Sequence, residues 1–396
     1  VFTGIDLKHF KCFELLKLPL RPLTLLSGAN ASGKSSVLQA LVLLHQTMSE
    51  HEWSNRLLLN GGAIRLGTVA DVVDQRARRS CQIALRTDDD EIRWEFAGEP
   101  ADMSMAVMHV WTGKSEWERQ PKGWYKAVPP DGLDSGWVLH QLYPWQVGYE
   151  LVNPFSLRQL RYVSAERTGP QETYRLEDIR FERGVGSSGQ YAVSALYAGR
   201  DEEVPGELAI EKVPPTRLRQ VEAWMGRFFP GCELDLQKIQ HTNAVTFGLR
   251  TSNDINFHTP VHTGYGLTQV LPVIVAALSS GPKGLLLIEN PEVHLHPAGQ
   301  ATMGEFLAEV ATTGAQVIME THSDHVLNGI RRAVKRGILV ADDAALHFFQ
   351  PRRESEQVRL PQVHSPSLDS EGNIDSWPDG FFDQFDKDMN YFAGWG

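Results

Sequence analysis

Cysteine is nearly missing from this chain: three in 396 residues, at positions 12, 81 and 232. Residues so far apart make neither a disulfide framework nor a metal knuckle, and they fit a reducing cytoplasm. Long apolar runs are missing too. The run 285–288 stops at acidic Glu289, and 270–278 is far shorter than the ~20 residues a membrane-spanning helix needs. No basic-then-apolar leader precedes the first strand-like stretch, so no secretory signal is expected. Positive charge is in deficit. A formal net charge of −11 opposes a generally basic nucleic-acid surface but leaves room for a local one. The basic clusters are Arg76, Arg78 and Arg79, then Arg331, Arg332, Lys335 and Arg336. Each reads first as a solvated helix face and second as a nucleic-acid contact. Neither an internal repeat nor a long charged heptad run is found, which excludes long coiled-coil arms. With 22% charged and 42% hydrophobic residues, a globular chain of two or three domains remains.

Organisation follows from periodicity. Residues 1–50 read as short strands, with LTLLSG ending in a Gly-rich turn, and SSVLQALVLLHQ as a helix packed on a sheet. Stretches such as CQIALRT and EIRWEF suggest antiparallel strands. Residues 94–145 hold six of the ten tryptophans (94, 111, 117, 124, 137 and 145) among many Gly and Pro. That reads as an irregular insertion with a small aromatic core, or as a partner-facing surface. The last third alternates helices with apolar strands, which argues for an α/β core around a largely parallel sheet. The expected division is 1–80 for the first part of the core, 81–155 for a strand- and Trp-rich insertion and 156–260 for a middle lobe. The second part of the core then occupies 261–345, and an extension 346–396.

Three stretches carry chemistry. GANASGKS, 28–35, matches G-x-x-x-x-G-K-S between an expected strand and an expected helix. Its small residues, Gly28, Asn30, Ala31, Ser32 and Gly33 among them, let backbone N–H groups face a phosphate at the positive end of the next helix. Lys34 reaches the β- and γ-phosphates, Ser35 offers its hydroxyl to Mg²⁺, and Ser36 continues the first turn. LLLIENPEVHLHP, 285–297, delivers carboxylates at the end of a buried strand, where doubly wound sheets place ligands. Glu289 is positioned to act through Mg²⁺ or its water shell, and Asn290 and Glu292 follow. METHSDHVLNGI, 319–330, ends a strand in polar groups. There His322 senses the γ-phosphate or merely caps the next helix, and Asp324 orients a neighbour. His294, His296, His322 and His325 also admit a metal reading, but zinc wants four fixed ligands and these positions are otherwise explained.

Together these residues resemble the ABC-like ATPases of the SMC, RecF and OLD group. More closely, they resemble a prokaryotic family whose C-terminal region is a domain of unknown function. FTGIDLKHFKCFELLKLPL with GANASGKSS is similar to that family's N-terminal strand pair and Walker A motif, LLLIENPEVHLHP to its Walker B and D-loop, and THSDH to its switch-histidine segment. HTGYGLTQVLPVI is similar to its signature region, YVSAERTGP with GSSGQY to its middle segment, and NIDSWPDGFFDQF to its terminal one. The resemblance implies an α/β P-loop NTPase of ABC/SMC-head type with a strand-rich N-terminal lobe. It also implies a head-to-tail homodimer or higher homo-oligomer with ATP sandwiched between protomers. Gly264, Gly266 and Thr268 or Gln269 would then face the γ-phosphate in trans.

Two departures matter. The residue after the Walker B acid is commonly a glutamate that polarises water; here it is Asn290, an amide and no general base. Either Glu289 or Glu292 takes part of that work, or turnover is slow and ATP acts as a clamp signal. The signature is nonstandard, and Gln75 is only a candidate Q-loop residue. The resemblance implies Mg²⁺-dependent ATP hydrolysis driving a switch on nucleic acid or a partner, in bacterial genome maintenance or anti-phage defence. The alternative is a slow or non-hydrolysing sensor. OLD proteins carry a C-terminal TOPRIM nuclease. The acids available here (Asp342, Asp343, Glu354, Glu356, Asp369, Glu371, Asp375 and Asp379) lack strand-end spacing, so a nuclease or other effector would be a separate chain. WPDGFFDQF reads as an anchor folded back on the body, or as a docking segment. A transporter ATPase or a small-metabolite kinase would not need this combination, and no membrane partner is expected.

Overall fold

The computed structural model describes residues 1–394 except 78, 114, 129–135, 147–149, 151–152, 178–183, 253–255, 263 and 351–361. Arg78, Glu354 and Glu356 therefore lie outside the described residues, as does position 263 of the signature stretch. The chain divides into two compact units, one of Val1–Arg21 and Asn30–Leu160, the other of Pro22–Ala29 and Arg161–Gly396.

The first elements are β1 (Gly4–Phe10), β2 (Phe13–Pro19), β3 (Leu23–Gly28), α1 (Lys34–Glu50), β4 (Arg56–Leu58) and α2 (Val69–Val72). Seven strands follow: β5 (Ser80–Arg86), β6 (Glu91–Ala97), β7 (Ser104–Thr112), β8 (Ser115–Arg119), β9 (Tyr125–Val128), β10 (Val138–His140) and β11 (Tyr143–Trp145). Then come β12 (Leu160–Val163), β13 (Tyr174–Arg175), α3 (Ala192–Ala198), α4 (Arg217–Phe228), β14 (Glu233–Lys238) and β15 (Ala244–Arg250). The last third holds α5 (Tyr265–Leu278), β16 (Leu285–Glu289), α6 (Pro297–Ala311), β17 (Gln316–Glu320) and α7 (Asp324–Lys335). It closes with β18 (Ala344–Phe349), β19 (Val363–His364) and α8 (Gln384–Phe392).

Among the described residues, the first unit holds an antiparallel sheet of eight strands, in the order β2-β1-β5-β6-β7-β8-β9 with β4 paired to β7. Period-two alternation builds it. On β6, Ile92, Trp94 and Phe96 are fully buried while Arg93 between them is exposed, as expected of a sheet with one packed face. Helix α1 lies against β1 and β4. Its buried polar side chains are satisfied by the chain that follows it. Thr47 Oγ1 accepts from the Leu58 N–H at 3.0 Å, and Gln46 Oε1 accepts from the Ile64 N–H at 3.1 Å. The tryptophan-rich stretch is more regular than an irregular insertion: Trp94, Trp111, Trp117 and Trp145 stand on β6, β7, β8 and β11. Aromatic rings suit a pleated, half-buried surface, which explains why they gather on strands. The Trp94 indole donates to the Leu142 carbonyl at 2.7 Å and the Tyr125 hydroxyl to that of Val107 at 2.8 Å, so their polar ends are not stranded in the core.

The second unit centres on a sheet ordered β12-β16-β17-β3-β18-β19. β16, β17, β3 and β18 run parallel, and β19 closes the edge antiparallel to β18. The connections β16–α6–β17–α7–β18 are helical crossovers, which parallel neighbours require. α5 is buried at every residue from Leu267 to Leu278, so it is apolar all round and belongs to the core. Trp224 on α4 packs on Phe306 of α6 at 4.6 Å between ring centroids, and its indole donates to the Leu208 carbonyl at 2.9 Å. A smaller sheet runs β13-β15-β14. Phe381, fully buried, folds the C-terminal segment onto Phe348 of β18 at 5.2 Å between centroids, so the anchor reading of WPDGFFDQF describes this residue.

The described residues of the basic clusters pair with acids and carbonyls of the same chain. Arg76 pairs with Glu14 and Arg79 with Glu99, each at 2.9 Å. On α7, Arg332 and Arg336 share Glu305 at 2.8 and 3.1 Å, Lys335 meets Glu371 at 3.4 Å, and Arg331 donates to the Gly372 carbonyl at 2.7 Å. Among the described residues, no helix is long and apolar enough to cross a membrane.

Candidate functional site

The parallel strands of the second unit end side by side, which is where an open α/β sheet leaves its ligand crevice. Glu289 ends β16, Glu320 ends β17, and the two are register partners; Glu320 in turn pairs with Leu26 of β3, two residues before Gly28. Peptide bonds beyond the strands continue the alignment. The Asn290 N–H donates to the Glu320 carbonyl at 2.8 Å and the Thr321 N–H to that of Leu26 at 3.0 Å.

The G-x-x-x-x-G-K-S loop leaves β3 at Gly28, whose φ of +134° lies outside ordinary L-residue space. A Cβ there would strike the Phe349 carbonyl and lie 2.7 Å from its nitrogen, so only glycine lets the loop depart beside β18. The Ala29 N–H donates to that same carbonyl at 3.2 Å. Within the first unit the loop continues with Asn30 and Ala31 exposed, Ala31 at φ +59°, and Ser32 buried. Gly33, at φ +105°, stands at the start of α1, where a Cβ would lie 2.5 Å from the Phe13 ring and 2.6 Å from the Cys12 sulfur. Lys34 and Ser36 are buried and Ser35 is partly exposed. The first turn of α1 holds no acidic residue and no side-chain cap, so its positive end is not neutralised from within the helix.

Glu289 sits in a cradle built by the segment after β12. Its Oε1 accepts from the Tyr162 hydroxyl at 3.0 Å and its Oε2 from the Ala165 N–H at 3.2 Å. Arg167 donates to the Glu289 carbonyl at 2.7 Å and to the Asn290 carbonyl at 3.1 Å. Burial lowers the Arg167 pKa to about 10, while the carboxylates of Glu292 and Glu289 pull it back up, so the guanidinium stays charged near neutral pH. Burial, and next the charge on Glu289, push the Tyr162 phenol up, so it remains a donor. Asn290 adopts φ +44°, a left-handed conformation that asparagine tolerates better than most residues. Its Oδ1 is buried and makes no hydrogen bond among the described residues. Glu292 points one oxygen at the His322 N–H, 2.9 Å away, and its buried Oε2 likewise makes no hydrogen bond.

His322 itself is exposed, in the turn between β17 and α7. Capping of α7 falls to Ser323, whose hydroxyl accepts from the Val326 N–H at 3.1 Å, so the capping role weighed for His322 belongs to its neighbour. Asp324 lies 3.7 Å from His325. In the signature stretch, Gly264 stands exposed at the N-cap of α5, with nothing within 4 Å of where a Cβ would be. At Gly266, by contrast, a Cβ would lie 2.8 Å from the His294 carbonyl. Thr268 and Gln269 are buried. Thr268 caps back to the Tyr265 carbonyl at 2.9 Å, and the Gln269 carbonyl accepts from Arg167 at 3.4 Å. Both side chains are thus enclosed by their own protomer. Exposed Tyr265, unremarked in the sequence, takes the outward position. Gln75 lies exposed in a turn of the first unit.

Among the described residues, no group of three or more His, Cys, Asp or Glu is placed to hold a metal ion. A Mg²⁺ ion that takes one protein carboxylate, a hydroxyl, phosphate oxygens and water does not call for such a group. The tail acids are occupied with turns: Asp369 accepts from the N–H groups of Glu371 and Asn373 at 2.9 and 2.8 Å, and Asp379 pairs with Lys387 at 2.6 Å.

Three groups near the strand ends went unassigned in the sequence. Glu320 shows only as the last residue of an apolar strand. Tyr162 and Arg167 lie 127 and 122 residues from the groups they hold, so no local spacing marks them.

Comparison with known proteins bears on the family and the fold. The family described as "AAA ATPase domain" matches residues 3–105, and "AAA domain, putative AbiEii toxin, Type IV TA system" matches residues 150–328. "Protein of unknown function (DUF3696)" matches residues 339–391. No curated protein matches the chain. Among solved structures, an Smc head bound to the C-winged helix domain of ScpA aligns with TM-score 0.50 and 14% identity, over 93% of this chain and 98% of that one. The SMC head domain from Thermotoga maritima aligns with TM-score 0.43 and 12% identity, over 93% and 99%. The chain is thus an α/β protein with the P-loop fold of SMC-type heads, and it joins AAA-family ATPase domains to a C-terminal segment of the DUF3696 family.

Proposed function

We propose that this protein binds ATP with Mg²⁺ and hydrolyses it to drive a switch between paired and separated protomers. The observation that carries the reading is the loop 28–35. It leaves a central parallel strand through a glycine that nothing else can replace and opens a helix whose first turn carries Lys34 and no acid. Gly28, Asn30, Ala31, Ser32, Gly33 and Ser36 cradle phosphate oxygens through the backbone, and Lys34 reaches the terminal phosphates. Ser35 and Glu289 are the residues that would hold Mg²⁺, and the ion would supply positive charge to offset the negative charge developing on the phosphoryl group. Of the acids, Glu292 is the base assigned here: its buried oxygen has no hydrogen bond to surrender, whereas both oxygens of Glu289 already accept one. Its partner His322 occupies the γ-phosphate-sensing position. In trans, exposed Gly264 with Tyr265 meets the second protomer's nucleotide, and Gly266 shapes the turn. A role for the switch in anti-phage defence or genome maintenance, through nucleic acid or a separate effector, rests on the resemblance of the motif stretches to the SMC, RecF and OLD group; the family matched over 150–328 is described as "putative AbiEii toxin, Type IV TA system".

Steady-state phosphate release with Mg²⁺, with and without duplex and single-stranded DNA, tests this beside Lys34→Ala. Turnover that disappears in the variant is expected, and DNA stimulation supports the nucleic-acid role. Turnover indifferent to Lys34 overturns the assignment. A second reading, an ATP-binding clamp that scarcely hydrolyses, is favoured by Asn290 at the position after the acid. It predicts Lys34-dependent ATP binding with no measurable turnover.

A further inference from the structure

We infer that Tyr162 and Arg167 are positioning residues of the ATPase centre, holding the end of β16 in the geometry that presents Glu289 to Mg²⁺ and Asn290 and Glu292 to water. The inference rests on the ATP reading above and extends it to a segment, 162–167, that contributes no phosphate-loop or strand-end motif. Three residues of this segment converge on two adjacent residues, through four hydrogen bonds. The Tyr162 hydroxyl and the Ala165 N–H each take one oxygen of the Glu289 carboxylate, at 3.0 and 3.2 Å, fixing its plane. Arg167 takes the carbonyls of Glu289 and Asn290, one on each side of the Asn290 α-carbon, at 2.7 and 3.1 Å, while the Asn290 N–H donates to the Glu320 carbonyl at 2.8 Å. A residue at φ +44° is thereby pinned from both sides. The second guanidinium nitrogen reaches the Gln269 carbonyl at 3.4 Å, so the same side chain joins the start of α5 to the strand end.

Packing alone does not account for this choice of side chains. A buried arginine is a costly way to fill volume, and an apolar residue would fill it without a charge to desolvate. What only a planar fork with several donors supplies is simultaneous grip on carbonyls of two elements. Likewise phenylalanine would fill the Tyr162 site, and only the hydroxyl orients a carboxylate. Groups that orient a metal-binding carboxylate change metal affinity or activity by about 10- to 100-fold when removed.

Five proteins decide it: wild type, Tyr162→Phe, Arg167→Gln, Arg167→Lys and, as the reference, Lys34→Ala. Five quantities are read: binding of a fluorescent ATP analogue in EDTA, the affinity of the nucleotide complex for Mn²⁺ by electron paramagnetic resonance, kcat and KM for ATP, and the melting temperature. Tyr162→Phe is expected to keep nucleotide affinity in EDTA within about twofold and to lose about tenfold in Mn²⁺ affinity. Arg167→Gln is expected to lose about tenfold or more in kcat with KM little changed, and Arg167→Lys to recover part of it. Variants that equal wild type in Mn²⁺ affinity and kcat overturn the inference, as do losses that merely track a lowered melting temperature with no recovery in Arg167→Lys. Nucleotide binding in wild type that Lys34→Ala leaves intact removes the ATP reading itself, a result distinct from either.

Discussion

At the scale of single residues, Glu292 and Asn290 carry the open chemical question. Both bring a buried oxygen without a hydrogen bond to one turn, and only the carboxylate can take a proton from water. Glu292→Gln is a clean probe because the amide oxygen can still accept from the His322 N–H, which leaves the turn between β17 and α7 tied down. The expected result is ATP binding close to wild type and kcat lower by about a hundredfold, the range typical of a lost general base. Equal turnover in the variant transfers the role of base to another group.

At the scale of elements, the contact of α6 with α7 determines where His322 and Ser323 are presented. Two glycines make it close: a Cβ on Gly304 would strike the Val326 carbonyl, and one on Gly329 would strike that of Ala301. Neither obstacle is a flexible side-chain end, so the helices must separate to admit even a methyl group. Gly304→Ala is expected to cost about 1–3 kcal/mol in denaturant unfolding. Gly226→Ala on α4, where nothing lies within 4 Å of the added carbon, is the control and is expected to leave stability unchanged or raise it. Comparable losses in both would mean that close helix approach is not what the glycines provide.

At the scale of the whole molecule, the acidic balance and the exposed signature turn set the expectations for assembly. The basic side chains of α7 are largely spent on Glu305 and Glu371 in ion pairs at the surface, which contribute little stability and leave little free charge for a nucleic-acid backbone. In the proposed sandwich, pairing through Gly264 and Tyr265 would require a nucleotide to complete the surface. Sedimentation velocity of a Glu292→Gln protein is expected to show a monomer without nucleotide and a dimer with ATP and Mg²⁺, reverting to monomer when EDTA is added. A mass independent of nucleotide would remove the sandwich from the mechanism while leaving ATP binding untouched.

What the amino-acid order determined by itself is local. The loop 28–35 is one contiguous segment whose glycines, lysine and serine must follow one another between a strand and a helix, so its role is written in spacing. The apolar run into Glu289 and the alternation of helices with strands are legible for the same reason. What only the tertiary structure decided depends on which strands become neighbours. Tyr162 reaches Glu289 across 127 residues because the two strands are adjacent in the sheet, and nothing in the intervening sequence records that pairing. Gln269 looks like part of an accessible glycine-rich turn until α5 is seen to be enclosed on all sides. Ser323, not His322, caps α7 because a hydrogen bond to a particular N–H is a matter of one residue's rotation, finer than any periodicity resolves. Contacts between distant segments are set by the burial of whole faces, and burial is a property of the folded chain rather than of any stretch within it.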